Sequence, residues 1–202
     1  PPPLPGPPPT PPLPLPTMLD GVSIWVGPRL AKLVFVSDQQ TNLLLPQLAP
    51  GRYTVVVQKD GQELRRGEVT LLDSAPGIFT ANASGSGQIA AFNQDGSLNS
   101  STKPAAPGSV VTIFATGAGL MDRSVPNGTI MDANLARPQL PVCMRIGTDP
   151  AEVIYGGSAP TLVNGGLQVN VRIPDTAQSG NQPIKLIVGT AASAPGTTIA
   201  IR

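Results

Sequence analysis

Apolar and polar residues alternate in short runs along most of the chain, and the runs end at Gly, Pro, Asn or Asp. Such runs are typical of β-strands with one face on a core, whereas the three-to-four-residue spacing of amphipathic helices is hard to find. The predicted strands are Val22–Val26, Lys32–Val36, Thr41–Leu45, Tyr53–Gln58, Glu68–Leu72, Gln88–Asn93, Ser109–Ala115, Val142–Ile146, Ala151–Tyr155, Leu167–Ile173, Ile184–Val188 and Thr197–Ile201. We therefore predict an all-β fold built of β-sandwiches.

Alternation also predicts which side chains form the core, because successive residues of a strand point to opposite faces. In the first half of the chain we expect a core of Val22, Ile24, Val26, Leu33, Phe35, Leu43, Leu45, Val55 and Val57. In the second half we expect Val111, Ile113, Val142, Met144, Ile146, Val153, Tyr155, Val169, Val171, Ile173, Ile184 and Leu186.

The strand pattern repeats within the chain, which indicates two related sandwich domains in tandem. The matched segments are GVSIWVG (21–27) with PVCMRIG (141–147), AKLVFVS (31–37) with AEVIYGG (151–157), and QTNLLLP (40–46) with QVNVRIP (168–174). The first two pairs have an offset of 120 residues and the third an offset of 128. We place the first domain at 17–80 and the second at 81–202, with a linking hairpin over 81–102.

Proline dominates the start of the chain, PPPLPGPPPTPPLPLP, in which eleven of sixteen residues are proline. Proline fixes φ and donates no backbone hydrogen bond, so residues 1–16 predict a polyproline II arm of roughly 50 Å. The second repeat is preceded by a predicted strand within KPAAPGSVVTIFATGAG (103–119), and the offset of 120 places its counterpart before residue 1. We therefore expect the first domain to lack its opening strand, and the arm to pack along a protein surface.

Composition narrows the classes of function. The chain has no histidine and one cysteine, Cys143, which excludes Ser-His-Asp and Cys-His catalytic sets and zinc sites built of His and Cys. Charged residues make up 12% of the chain, the net charge is +1, and no basic run suggests nucleic acid. Apolar runs are too short to span a bilayer. We expect no enzymatic activity and no cofactor.

Several motifs together resemble a known family. They are PLPTMLDGVSIWVG, SAPGIF, AAFNQDGSLNS, PAAPGSVVTIFATGAG, LPVCMRIG, AEVIYGG and GLQVNVRIPDTAQSGNQPIKLIVG. In this order, over residues 14–202, they resemble the C-terminal domain of unknown function in secreted proteins of Solibacter-type Acidobacteria, whose halves are similar to IPT/TIG-type immunoglobulin-like domains. The resemblance implies export and an Ig-like fold, and it implies no activity. The long proline arm and Cys143 depart from the family pattern.

Three features suggest specific chemistry only weakly. NQDGSLN (93–99) resembles half of a calcium loop but lacks the bidentate Glu, and a hairpin turn explains it. The aspartates Asp20, Asp122, Asp132, Asp149 and Asp175 have the neighbours of turn residues, and no catalytic pair stands out. Cys143 lies on the face of its strand opposite Val142 and Met144, either as a bystander or as a link to another chain.

Trp25 is the sole tryptophan, and alternation places it with Ser23 on the face opposite Ile24. An indole on an outer sheet face is a surface on which proline rings pack well, although packing on a neighbouring loop explains it equally well. The candidate assembly contacts are Pro1, Pro2, Pro3, Pro7, Pro8, Pro9, Pro11, Pro12 and Trp25.

These observations favour a structural protein, extracellular or at the bacterial cell surface, that self-associates into an oligomer or filament through Ig-like domains and strand complementation. The expected partners are other copies of the chain, with no nucleic acid and no membrane span. The alternative is an adhesion or carbohydrate-binding module of a larger secreted protein, with a cell-surface glycan as partner. That alternative rests on fold-level analogy.

Overall fold

The computed structural model describes residues 13–132 and 134–202, and all regular structure in these residues is β-strand. The predicted all-β class is confirmed, and the multiple antiparallel sheets are consistent with β-sandwiches. No helix long and apolar enough to cross a membrane is found in the described ranges.

The chain divides into two compact units. The first comprises the residues up to Leu72 together with Val125–Thr129, and the second comprises Asp73–Ser124 and Ile130–Arg202. The domain bounds 17–80 and 81–202, and the Ig-like assignment, stay predictions.

The first unit has a five-stranded antiparallel sheet and a two-stranded one. The larger sheet has the order β1-β2-β6-β7, with β3 paired to β2, and the smaller is the β4–β5 hairpin. The strands are β1 (Met18–Leu19), β2 (Val22–Val26), β3 (Arg29–Leu30), β4 (Lys32–Val36), β5 (Thr41–Leu44), β6 (Gly51–Lys59) and β7 (Gln62–Leu71).

The second unit has a five-stranded and a six-stranded sheet. The strands are β8 (Gly77–Ile78), β9 (Gly87–Gln88), β10 (Ala91–Phe92), β11 (Val110–Thr116), β12 (Val142–Ile146), β13 (Asp149–Ala151), β14 (Val153–Ser158), β15 (Leu167–Arg172), β16 (Gly180–Val188), β17 (Ala191–Ala192) and β18 (Thr197–Ile201). One sheet has the order β10-β11-β15-β14, with β8 on β11, and the other has β13-β12-β16-β18-β9, with β17 on β16. Of these pairings, β9 with β18 is parallel.

The sequence repeat extends to strand register. In the first unit β2 pairs with β6 so that Val26 lies opposite Val55, and in the second β12 pairs with β16 so that Ile146 lies opposite Ile184. The hairpins β4–β5 and β14–β15 correspond in the same way. The two units therefore share a framework in which β2, β4, β5 and β6 are the counterparts of β12, β14, β15 and β16.

A β-bulge occurs at the same place in both hairpins. It lies between Leu33 and Phe35 in the first unit and between Val153 and Tyr155 in the second. A bulge inserts one residue and shifts the alternation beyond it. For this reason Val36 packs against the core after Leu33, whereas simple alternation predicted Phe35.

Most predicted core residues are buried or half-buried. The buried ones are Ile24, Val26, Leu33, Val111, Ile113, Met144, Ile146, Val169, Val171, Ile173, Ile184 and Leu186. The half-buried ones are Val22, Phe35, Leu43, Val55, Val57, Val142, Val153 and Tyr155. Leu45 is exposed, so that prediction is wrong, and the reason is that β5 ends at Leu44.

We expect Leu186→Ala to lower the free energy of unfolding by about 2–5 kcal/mol, because it leaves a cavity beside Met144 in the closed core of the second unit. Lys185→Ala, one residue away on the exposed face, is the matched control and should change it by about 0.5 kcal/mol or less. Urea unfolding followed by circular dichroism measures both, and equal losses would contradict the assigned strand face.

Candidate functional site

Trp25 lies on the outer face of the larger sheet of the first unit, as alternation along β2 predicts. Across the sheet it is opposite Leu30 on β3 and Val56 on β6. Its side chain is exposed, at 36%. The indole N–H donates a hydrogen bond to Gln58 Oε1 at 3.3 Å, and the Ser23 hydroxyl donates to the same oxygen at 3.5 Å. Ser23 is buried on this face, and the Gln58 oxygen accepts from its hydroxyl.

The apolar surface around Trp25 extends to the sheet margin. Met18 on β1 is exposed and lies opposite Ser23, next to the Trp25 row. We call Met18, Trp25, Leu30 and Val56 the Trp25 patch. It is a flat surface that an extended apolar segment could cover without disturbing the core.

A charged pair borders the Trp25 patch on the side of β7. Arg66 lies opposite Val56, and its Nε and Nη2 donate to the two carboxylate oxygens of Glu63 at 3.0 and 2.7 Å. These hydrogen bonds hold the pKa of Glu63 below its ordinary value. The outer face of this sheet is thus apolar at Trp25 on β2 and Val56 on β6, and it is charged on the neighbouring strand β7.

The eight prolines of the predicted contact set lie outside the described residues: Pro1, Pro2, Pro3, Pro7, Pro8, Pro9, Pro11 and Pro12. Their contact with Trp25 stays a prediction. The described chain begins with Leu13 and Pro14 exposed and Leu15 buried. The Pro16 carbonyl accepts a hydrogen bond from Leu33 N–H at 2.8 Å, so the chain leaves the arm beside β4, in the other sheet from Trp25.

The free edge of β5 is the second notable surface of the first unit. In the second unit the counterpart strand β15 lies between β14 and β11. Among the described residues β5 pairs with β4 alone. The edge that β11 covers in one unit is therefore left without a described strand in the other.

The direction of the backbone groups on β5 follows from one hydrogen bond. Ser37 N–H donates to the Gln40 carbonyl at 2.8 Å, so the Gln40 groups face β4. Because direction alternates along a strand, the N–H and C=O of Thr41 and Leu43 face the free edge. Two residues of the strand could thus each donate and accept across that edge.

The counterparts of these two residues show how such an edge is completed. In the second unit they are Val169 and Val171, which lie opposite Ile113 and Val111 on β11. Val169 and Val171 are buried, whereas Thr41 and Leu43 are half-buried.

The long strand β7 also ends its sheet. Its counterpart β18 is covered along the outer edge by β9 and by Asn99, whose side-chain amide exchanges hydrogen bonds of 2.9 Å with both backbone groups of Ala200. In the described part of the first unit no strand lies outside β7. Residues 62–67 are exposed and lack an apolar alternation, so the sequence pattern did not predict this part of the edge strand.

The segment NQDGSLN (93–99) forms a hairpin turn. Asn93 N–H donates to the Ser97 carbonyl at 2.8 Å. One carboxylate oxygen of Asp95 accepts from the Ser97 N–H at 2.9 Å and from its hydroxyl at 2.7 Å, and these bonds lower the pKa of Asp95. The oxygen-bearing side chains of the motif thus hold the turn together.

The remaining candidates are dispersed. Over 13–132 and 134–202, no three Asp, Glu, His or Cys side chains come close enough to hold a metal ion. Asp149 lines an open polar depression of about 400 Å³, where Thr176 donates to its carboxylate at 2.6 Å. Cys143 is exposed, on the face that alternation predicts.

Comparison with known proteins finds no matching family model and no matching curated protein. The Solibacter-type resemblance therefore rests on the motifs quoted above.

Because the chain has a single tryptophan, intrinsic fluorescence measures the surroundings of Trp25 alone. In a chain that begins at Leu13 we expect emission typical of a solvent-exposed indole and efficient acrylamide quenching, since the side chain is exposed. Phe92→Trp with Trp25→Phe is the matched control, because Phe92 is also exposed on a strand. Blue-shifted emission that acrylamide does not quench would contradict the exposed patch.

Proposed function

We propose that this chain is a non-catalytic structural module of an extracellular or cell-surface protein, built of Ig-like units, which self-associates by strand complementation. One observation carries the proposal: among the described residues β5 pairs with β4 alone, whereas β15, its counterpart in the second unit, lies between two strands. A segment of a neighbouring copy that adds to this edge would pair the backbone groups of Thr41 and Leu43 and cover the half-buried side chains beside them.

The sizes of the two cores support this proposal. Counted over the described residues, the core cluster of the first unit contains four buried apolar residues, Ile24, Val26, Ala31 and Leu33, against nineteen in the second. Each square ångström of apolar surface removed from water contributes about 25 cal/mol, so covering the half-buried Leu43 and its neighbours favours association.

The proline arm has a place in the same proposal. Residues 1–12 of one copy would pack their rings on the Trp25 patch of another, as proline-rich segments do on aromatic grooves. We assign this contact to a neighbouring copy, in line with the self-association proposed above. Proline donates no N–H, so the arm adds ring packing and does not serve as the missing strand.

The alternative function, an adhesion or carbohydrate-binding module, has one observation in its favour. Trp25 donates to the Gln58 side chain, and the Arg66–Glu63 pair lies one strand further along the same face, beyond Val56, so an aromatic face and hydrogen-bonding groups share one surface. Retention of the chain on immobilised polysaccharide that Trp25→Ala abolishes would favour this alternative.

We expect Thr41→Pro to weaken self-association strongly, because proline removes the outward N–H at the first position of β5, where proline is tolerated. Sedimentation velocity over a concentration series measures the effect. Thr41→Val is the matched control: it keeps the N–H, and its association should match that of the wild type.

A peptide with the sequence of residues 108–119, GSVVTIFATGAG, provides an independent test. It contains β11, which fills the equivalent edge, so we expect it to compete with self-association where a scrambled peptide does not. Unchanged association with both Thr41→Pro and the peptide, in chains that unfold normally in urea, would refute complementation at β5.

A further inference from the structure

The free edge of β7 has a defined hydrogen-bonding pattern. Gly27 N–H donates to the Thr54 carbonyl at 2.8 Å, so the Thr54 backbone groups face β2 and those of Val55 face β7. Val55 lies opposite Gly67. The backbone groups of Gly67 therefore face β6, and those of Arg66 and Glu68 face away from the sheet.

These two outward residues carry opposite charges. Both side chains project from the outer face of the sheet, because Arg66 lies opposite Val56 and Glu68 opposite Thr54. Their side chains are 60% and 63% exposed. Among the described residues Glu68 has one ion-pair contact, with Arg52 at 3.5 Å, and Arg66 binds Glu63 through Nε and Nη2, which leaves Nη1 for a further acceptor.

Two copies of β7 can meet antiparallel about a two-fold axis in only a few registers, because outward-facing groups must lie opposite each other. In a register centred on Arg66, the Arg66 residues of the two copies lie opposite each other. In a register centred on Glu68, the two Glu68 residues lie opposite each other. Both registers oppose like charges, which destabilises a strand pair. Centring on Gly67 places Arg66 of each copy opposite Glu68 of the other.

The residue on the axis suits that register. The two Gly67 residues would form a non-hydrogen-bonded pair, in which Cα atoms approach to about 4.5 Å. Gly67 has no side chain to obstruct this approach, and the space at its Cβ position is open, with no atom within 4 Å.

We propose that β7 is an isologous interface at which a second copy of this chain adds its own β7 antiparallel about Gly67, with reciprocal Arg66–Glu68 ion pairs. The pairing joins two larger sheets into one across the axis. Charges on an edge usually keep other strands away, but here their order along the strand selects one register and one partner, a copy of the same strand.

This interface goes beyond the complementation proposed at β5 and uses a different edge. The β7–β7 association should remain in the Thr41→Pro variant. Complementation at β5 should remain in a variant whose β7 is altered. Failure of one proposal is thus distinguishable from failure of the other.

The first experiment places a cysteine on the axis. In a Cys143→Ser background, Gly67→Cys should form an intermolecular disulfide under mild oxidation, because a Cα separation of about 4.5 Å lies within disulfide range. Thr70→Cys is the matched control: its two copies would lie about 20 Å apart in this register and should not cross-link. Equal cross-linking of the two variants, or none with Gly67→Cys in chains with native circular dichroism, would overturn the proposal.

The second experiment tests the charge pairing without a covalent bond. Arg66→Glu should raise the dimer dissociation constant of the Thr41→Pro chain by about tenfold or more, because two Glu–Glu contacts replace the ion pairs. Combining Arg66→Glu with Glu68→Arg restores the pairing in reversed order and should recover most of the loss in sedimentation equilibrium. Failure of the double variant to recover, or a Thr41→Pro chain that is monomeric throughout the concentration series, would overturn the proposal.

Discussion

The unmet backbone hydrogen bonds at the edges of its sheets are the constraint on which this molecule depends. A strand that ends a sheet exposes a row of N–H and C=O groups that must find water, a side chain or another strand. In the second unit, β11 covers β15, while β9 and Asn99 cover β18. The first unit has the same framework of strands without a described equivalent of this cover. Among the described residues, the contrast between the two units thus lies in the segments that cover these edges and not in the shared framework.

The small size of the first unit increases the effect that a strand at its sheet edge has on its stability. The first unit contains the residues up to Leu72 and five more, and below roughly 70–80 residues a single core rarely supplies more than about 3–5 kcal/mol. With few fully buried side chains, such a unit gains disproportionately from any strand that covers an edge. The core of the second unit is built from both of its sheets. Among the described residues, most of the buried apolar side chains therefore lie in the second unit.

The alternation of apolar and polar residues predicted the bounds of those strands that have one face on a core. β2, β4, β12 and β18 begin and end where alternation places them, because one face of each lies on the core. The start of β7 was missed, since residues 62–67 are exposed on both faces and carry charges in place of an apolar alternation. The bulge after Leu33 was missed for a related reason: alternation assumes regular pleating, and a bulge is decided by the partner strand.

The candidate surfaces were predictable to different degrees. The outward position of Trp25 follows from its own strand, so the sequence was sufficient. Its hydrogen bond to Gln58 joins residues far apart in the chain, and no local signal indicates such a contact. The repeat predicted an absent opening strand, but it did not show that β5 and β7 are the end strands among the described residues, because an edge is defined by the neighbour it lacks.

The first unit is discontinuous in sequence, and this affects the order in which the chain can fold. Val125–Thr129 belong to it: Asn127 donates to the Leu45 carbonyl at 2.7 Å, and the Gln47 side chain donates to the Val125 carbonyl at 3.2 Å. During synthesis, domains generally fold from the N-terminus as they leave the ribosome. The first unit is therefore complete only after residue 129 has emerged, well into the translation of the second unit. Until then Leu45 and Gln47 lack these two hydrogen-bond partners.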